Sequence, residues 1–104
     1  MPSSLAALSP LDGRYARSVD PLRPYFSEQA LIGYRVRVEL AWLQALAAER
    51  GIKELKGFSP KTGAALASLV KNFSERDAEH IKRIEAETNH DVKALEYWLR
   101  SRLA

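Results

Sequence analysis

Two short runs carry the side chains best suited to chemistry. Arg14-Tyr15 leaves the turn-like segment Ser9-Pro10-Leu11-Asp12-Gly13, and Asn89-His90-Asp91 follows Thr88. Arginine suits phosphate because its planar fork donates two parallel charge-assisted hydrogen bonds, and a tyrosine beside it adds a neutral donor. Asn, His and Asp together supply donors and acceptors of several kinds, enough to orient a ribose or a base or to tune a proton transfer. Both runs stand at junctions. A junction just before a helix offers unpaired backbone N–H groups and the positive end of the dipole, where anions and polar ligands bind readily. Each run also has a plainer structural use. Thr88 and Asp91 can cap a helix and leave His90 in solvent, and Arg14 and Tyr15 can be a surface cation and a half-buried ring. The second histidine, His80, lies among Glu79, Lys82 and Arg83 and reads as solvated. Two histidines ten positions apart with no thiol match no metal-ligand spacing, so no metal is expected. A Gly-rich phosphate loop and a nucleophile elbow are both missing.

The elements that must hold these runs are helices. Residues 1–26 contain four of the five prolines, Pro2, Pro10, Pro21 and Pro24, and no long helix fits there. This is expected to be an extended, proline-rich segment, with the Ser9–Gly13 turn inside it. From Ser27 the periodicity becomes helical, with Leu31, Val38, Trp42 and Leu46 on one stripe and Ile32, Val36, Leu43 and Ala47 on a neighbouring one. Ser27 is the expected N-cap and Gly51 the expected stop, giving a helix over about 28–50. Ser59-Pro60 predicts a second, shorter helix that buries Leu66, Leu69, Val70 and Phe73. A third starts from the capping-box variant Ser74-Glu75-Arg76-Asp77, carries Ile81 and Ile84 inward and runs to about Glu87. The Thr88-Asn89-His90-Asp91 spacing predicts a fourth from His90 or Asp91, with Val92, Leu95, Leu99 and Leu103 on its apolar face. Trp42 and Trp98 stand at core spacing. The expected architecture is a small all-α domain of about four helices over 27–104.

Composition bounds what such a domain can be. A chain of 104 residues has surface enough for one core, which leaves no room for a second catalytic or cofactor domain. With no cysteine, disulfide scaffolds, thiolate zinc sites, iron–sulfur clusters and cysteine nucleophiles are all excluded, and a cytoplasmic location fits. The net charge of +3 is spread, with six basic and five acidic side chains in residues 1–52 and ten and eight in 53–104. That interleaving argues against nucleic-acid binding, which asks for a basic stripe on one face. The longest apolar stretch, about Leu40 to Ala48, is far short of the ~20 residues of a membrane span. The first nine residues lack the basic and apolar regions of a signal peptide.

The same two runs carry a family resemblance. Ser9-Pro10-Leu11-Asp12-Gly13-Arg14-Tyr15 resembles the N-terminal signature of the adenylosuccinate lyase family, within the fumarase/aspartase superfamily, and Thr88-Asn89-His90-Asp91-Val92-Lys93-Ala94 resembles its second signature. Between them, Phe26-Ser27-Glu28, Arg35, Val38-Glu39, Trp42-Leu43, Ile52-Lys53-Glu54, Phe73-Ser74-Glu75 and Ile81-Lys82-Arg83-Ile84-Glu85 are similar to residues of the bacterial enzymes, so the resemblance covers nearly the whole chain. It implies an enzyme of purine biosynthesis that eliminates fumarate from adenylosuccinate to give AMP, and from the succinylated aminoimidazole carboxamide ribotide (SAICAR) to give AICAR. No metal or organic cofactor is implied. A general base takes a proton from the succinyl group while a general acid protonates the departing nitrogen. By the same resemblance Arg14 and Tyr15 bind the nucleotide at its phosphate end. Asn89, His90 and Asp91 contact the nucleotide near the reacting bond, with His90 an auxiliary that orients substrate or assists electrostatically. Family chains are several times longer, and their principal catalytic histidine and serine, like the helices that build the homotetramer, lie downstream. The fourth helix meets no stop signal before Ala104, so the chain is expected to be an isolated N-terminal domain without lyase activity of its own. Two other readings stand beside this one: another superfamily lyase such as argininosuccinate lyase or aspartase, and a non-enzymatic helical interaction module.

Overall fold

In the computed structural model, which describes residues 3–103, the backbone forms helices and turns and no strand. Met1, Pro2 and Ala104 lie outside the described residues, and with them the two ends of the expected 1–104 span. Four helices follow one another: α1 (Glu28–Ala48), α2 (Pro60–Lys71), α3 (Glu75–Thr88) and α4 (Asp91–Leu103). The all-α expectation holds, and each start falls where the capping chemistry places it. The Ser27 hydroxyl accepts from the Ala30 N–H at 3.0 Å. Ser59 does the same for Thr62, with Pro60 in the first turn, where its missing N–H costs nothing. At α3 the capping box closes fully, since Ser74 Oγ accepts from the Asp77 N–H and Asp77 Oδ2 accepts from the Ser74 N–H. Helix α1 ends two residues before the expected position, and Gly51 sits in the following turn, its N–H donating to Glu49 Oε1 at 3.2 Å.

The chain divides into two compact units, residues 1–31 and 32–104. The second holds the core. Ile32, Val36 and Leu40 of α1 pack with Leu66 of α2, Ala78 and Ile81 of α3, and Ala94, Leu95, Trp98 and Leu99 of α4. Trp98 is wholly buried and meets Phe73 edge to face, with ring centroids 5.7 Å apart. Gly33 makes room for that Phe73 ring, because a Cβ there would stand 3.2 Å from Cδ1. Of the two α1 stripes, the one with Ile32 and Val36 is the buried one. Leu31, Val38 and Trp42 point to solvent, so Trp42, at 62% exposure, is not the core residue its spacing suggested.

The first unit is built differently. Over the segment expected to be extended and proline-rich with a turn at Ser9–Gly13, the chain winds through five single turns: Ser4–Ala6, Pro10–Asp12, Ala16–Val19, Asp20–Leu22 and Arg23–Phe26. Proline explains both the winding and its brevity. Pro10, Pro21 and Pro24 each sit in the first two positions of a turn, where the fixed φ favours helical geometry, and each bars a longer helix from passing through. No residue in these turns is buried.

Candidate functional site

Arg14 and Tyr15 belong to the first unit, immediately after the turn Pro10–Asp12. Ser9 caps that turn, accepting from the Leu11 N–H at 3.0 Å. Gly13 then lets the chain cross close to the Ser4 carbonyl: a Cβ at Gly13 would lie 2.7 Å from that oxygen, nearer than atoms can come. The Tyr15 N–H donates to the Pro10 carbonyl at 2.8 Å, which closes the motif on itself. Asp12 is tied down in turn by Arg23, 3.6 Å away, whose stronger bond is to Asp20 at 2.7 Å. The Asp20 carboxylate, with Asp12 behind it, raises the Arg23 guanidinium above its ordinary value, so this brace stays cationic at any working pH. Both motif side chains are exposed, and the Arg14 guanidinium rests 5.3 Å from the Tyr15 ring centroid. Stacking there orients the cation while leaving its fork of N–H groups outward for an anion.

Asn89, His90 and Asp91 form the α3–α4 junction of the second unit. Asn89 ends α3 in the left-handed conformation, φ 52°, which Asn tolerates better than most residues. The start of α4 is capped by other atoms than the Thr88–Asp91 spacing suggests. His90 Nδ1 accepts from the Lys93 N–H at 3.1 Å, and Asp91 Oδ1 accepts from the Val92 N–H at 2.8 Å. Thr88 instead clasps His90, accepting from its N–H at 3.2 Å and donating to its carbonyl at 3.1 Å. Two of the amides expected to be open to an anion are therefore filled by the motif's own side chains. A phosphate has less reason to sit here than beside Arg14.

The remaining oxygen of Asp91 reaches across to α1, where Arg35 Nη1 lies 2.7 Å from Oδ2. The Val92 N–H, and behind it the Arg35 charge, hold the Asp91 carboxyl below the usual carboxylate range. Arg35 escapes a local reading of the sequence, because nothing near it points to a partner so far along the chain. Lys93 is likewise engaged, 3.3 Å from Glu96 and over the Tyr97 ring.

A cleft of about 440 Å³ opens elsewhere in the second unit, lined by Trp42, Leu43, Leu46, Leu99 and Leu103 among others, and no residue of either motif lines it. Among the described residues, no three His, Asp or Glu side chains converge as a metal site requires, and no helix is long and apolar enough to cross a membrane.

No family model matches the chain. Whole proteins do. The adenylosuccinate lyase of Haemophilus influenzae is 54% identical over 101 residues, that of Escherichia coli K12 52% over 102, and that of Legionella pneumophila Corby 47% over 100. The chain is a homologue of the adenylosuccinate lyases. These alignments take in 96–98% of the chain but 22% of each relative, so it spans about a fifth of the length of the adenylosuccinate lyases it matches. Both junctions lie within the aligned stretch, since it runs over nearly every residue from one end of the chain to the other.

Proposed function

We propose that the chain is the N-terminal, substrate-binding domain of an adenylosuccinate lyase, a C–N lyase of purine biosynthesis that eliminates fumarate from adenylosuccinate and from SAICAR. The observation that carries this is the identity of 43–54% along almost the whole chain to proteins that all bear that name. Arg14 takes the substrate phosphate, with the Tyr15 hydroxyl as a second donor. The stacking of the two side chains and the Gly13 turn beneath them support that assignment. Asn89 and His90 meet the nucleotide nearer the reacting bond. Because Nδ1 of His90 already accepts from the Lys93 N–H, the neutral ring carries its proton on Nε2 and offers a donor outward. That suits orientation and charge stabilisation rather than proton abstraction. The principal acid and base belong to the rest of the enzyme, which works as a cytoplasmic homotetramer without metal or cofactor.

The test compares the 104-residue chain with the full-length protein that contains it, measuring AMP formed from adenylosuccinate. The full-length protein is expected to turn over and the short chain to be inert. In the full-length protein, Arg14→Ala is expected to raise KM with a smaller change in kcat. Turnover by the short chain would sink the domain proposal. Unchanged kinetics in Arg14→Ala would favour a helical interaction module.

A further inference from the structure

Asp91 is the most committed of the motif side chains. One carboxylate oxygen takes the Val92 N–H and the other takes Arg35, whereas Asn89 is held through its backbone N–H, which donates to the Glu85 carbonyl at 2.8 Å, and His90 through its Nδ1. Arg35 is itself well anchored. It stands in α1 beside Val36, which is wholly buried, and one turn from Ile32 in the same core. The pair is half-buried, with 36% of the Arg35 side chain and 47% of that of Asp91 exposed. It joins a core helix directly to the first turn of α4, the turn on which His90 is the cap.

We propose that Arg35 is a positioning residue for the nucleotide site: by holding Asp91 it fixes the first turn of α4 in the register that turns His90 Nε2 and the Asn89 amide toward substrate. This rests on the reading that the Asn89-His90-Asp91 junction contacts the nucleotide. Arg35 acts through Asp91 and touches no substrate. The arrangement also accounts for a carboxylate in a junction that faces an anionic ligand, since its charge is spent on Arg35 and on a backbone amide rather than presented outward.

The experiment uses the full-length protein with Arg35→Gln, Arg35→Lys, Asp91→Asn and the double variant Arg35→Gln/Asp91→Asn, reading kcat/KM for adenylosuccinate, thermal midpoint, and amide exchange over Val92 to Ala94. Arg35→Gln is expected to lower kcat/KM roughly tenfold with little change in the midpoint, the scale of coupling between residues in direct contact. Exchange over the first turn of α4 rises while that of Trp98 and Leu99 does not. Arg35→Lys recovers part of the loss, and the double variant is no worse than Asp91→Asn alone. Losses that add in the double variant would mean that Arg35 meets substrate itself, which overturns the proposal. So would wild-type kinetics in Arg35→Gln, or a loss that follows the fall in midpoint. If the unsubstituted protein cleaves no adenylosuccinate, the nucleotide reading falls on its own. The exchange data then still decide whether Arg35 holds the turn, and unchanged exchange ends the proposal.

Discussion

The two junctions are braced alike and founded differently. Each has an Arg–Asp pair that fixes a turn: Arg23 with Asp12 and Asp20 in the first unit, Arg35 with Asp91 in the second. Beneath Asn89-His90-Asp91 lies a core of four helices around a buried tryptophan. Arg14-Tyr15 has single turns with no buried residue, and Leu5, Leu8 and Phe26 of the same unit are largely exposed. A site founded on a core inherits its rigidity from packing, whereas one founded on turns depends on backbone bonds, steric fit and surface charge. The two should respond to different insults.

The largest expected separation comes from the core. Trp98→Ala removes the side chain that α4 presents to Phe73 and leaves a void among Leu95, Leu99 and Ile81, at a cost of about 3–5 kcal/mol. That is a large part of the stability of a domain this size. Chemical denaturation should show the loss, and amide exchange should rise across α3 and α4 while the turns around Arg14 keep their rates. If the first unit loosens to the same degree, the two are not independently founded.

Next comes Arg14→Ala. Deleting a charge-assisted bond to phosphate should weaken nucleotide binding by about 1.5–3 kcal/mol, or roughly ten- to a hundredfold, and leave the denaturation midpoint where it was. Isothermal titration of the full-length protein with AMP checks the first half and chemical denaturation the second, where a shifted midpoint would place Arg14 among the structural residues. Gly13→Ala is smaller and more local. Its new methyl must displace the Ser4 carbonyl, at about 1–3 kcal/mol for an overpacked contact. Chemical shifts should move over residues 4–15 and stay fixed at Trp98.

What the sequence discloses divides along the same line. Helix starts are written in local chemistry, and Ser27, Ser59 and Ser74 each cap the helix their spacing announces. Both motifs are likewise contiguous runs, visible without a structure. Periodicity alone could not decide which stripe of α1 faces inward, because a broad apolar face has two candidates and the partner helices choose between them. That is why Trp42 reads as core and lies in solvent. The proline-rich segment was legible in part: proline forbids long helices, as expected, while its fixed φ also nucleates the short turns that the structure adds. Arg35 could not be found locally at all. An ion pair between distant helices leaves no periodic trace, and its geometry exists only once α1 and α4 are packed.

The smallest expected effect concerns the brace of the second junction and acid. Asp91 has its folded-state pKa lowered below the ordinary 3.8 by the Val92 N–H and by Arg35. A lowered carboxylate pKa means that the tie is fully present above the unfolded-state value and is lost as pH falls through the lower folded one. Between pH 8 and pH 5 the junction should therefore be unchanged, and it should loosen only below about pH 4. Salt should soften it at every pH, because both partners are partly solvated. The control is Arg35→Gln, in which the tie is cut while the Val92 N–H remains. The carboxyl carbon shift of Asp91, followed by NMR from pH 6 to pH 2 in the unsubstituted protein and in Arg35→Gln, reads the brace directly. Removing Arg35 should move the Asp91 midpoint upward, because one of the charges that favours the carboxylate is gone. An Asp91 midpoint that is the same in both proteins would show that Arg35 does not brace the second junction.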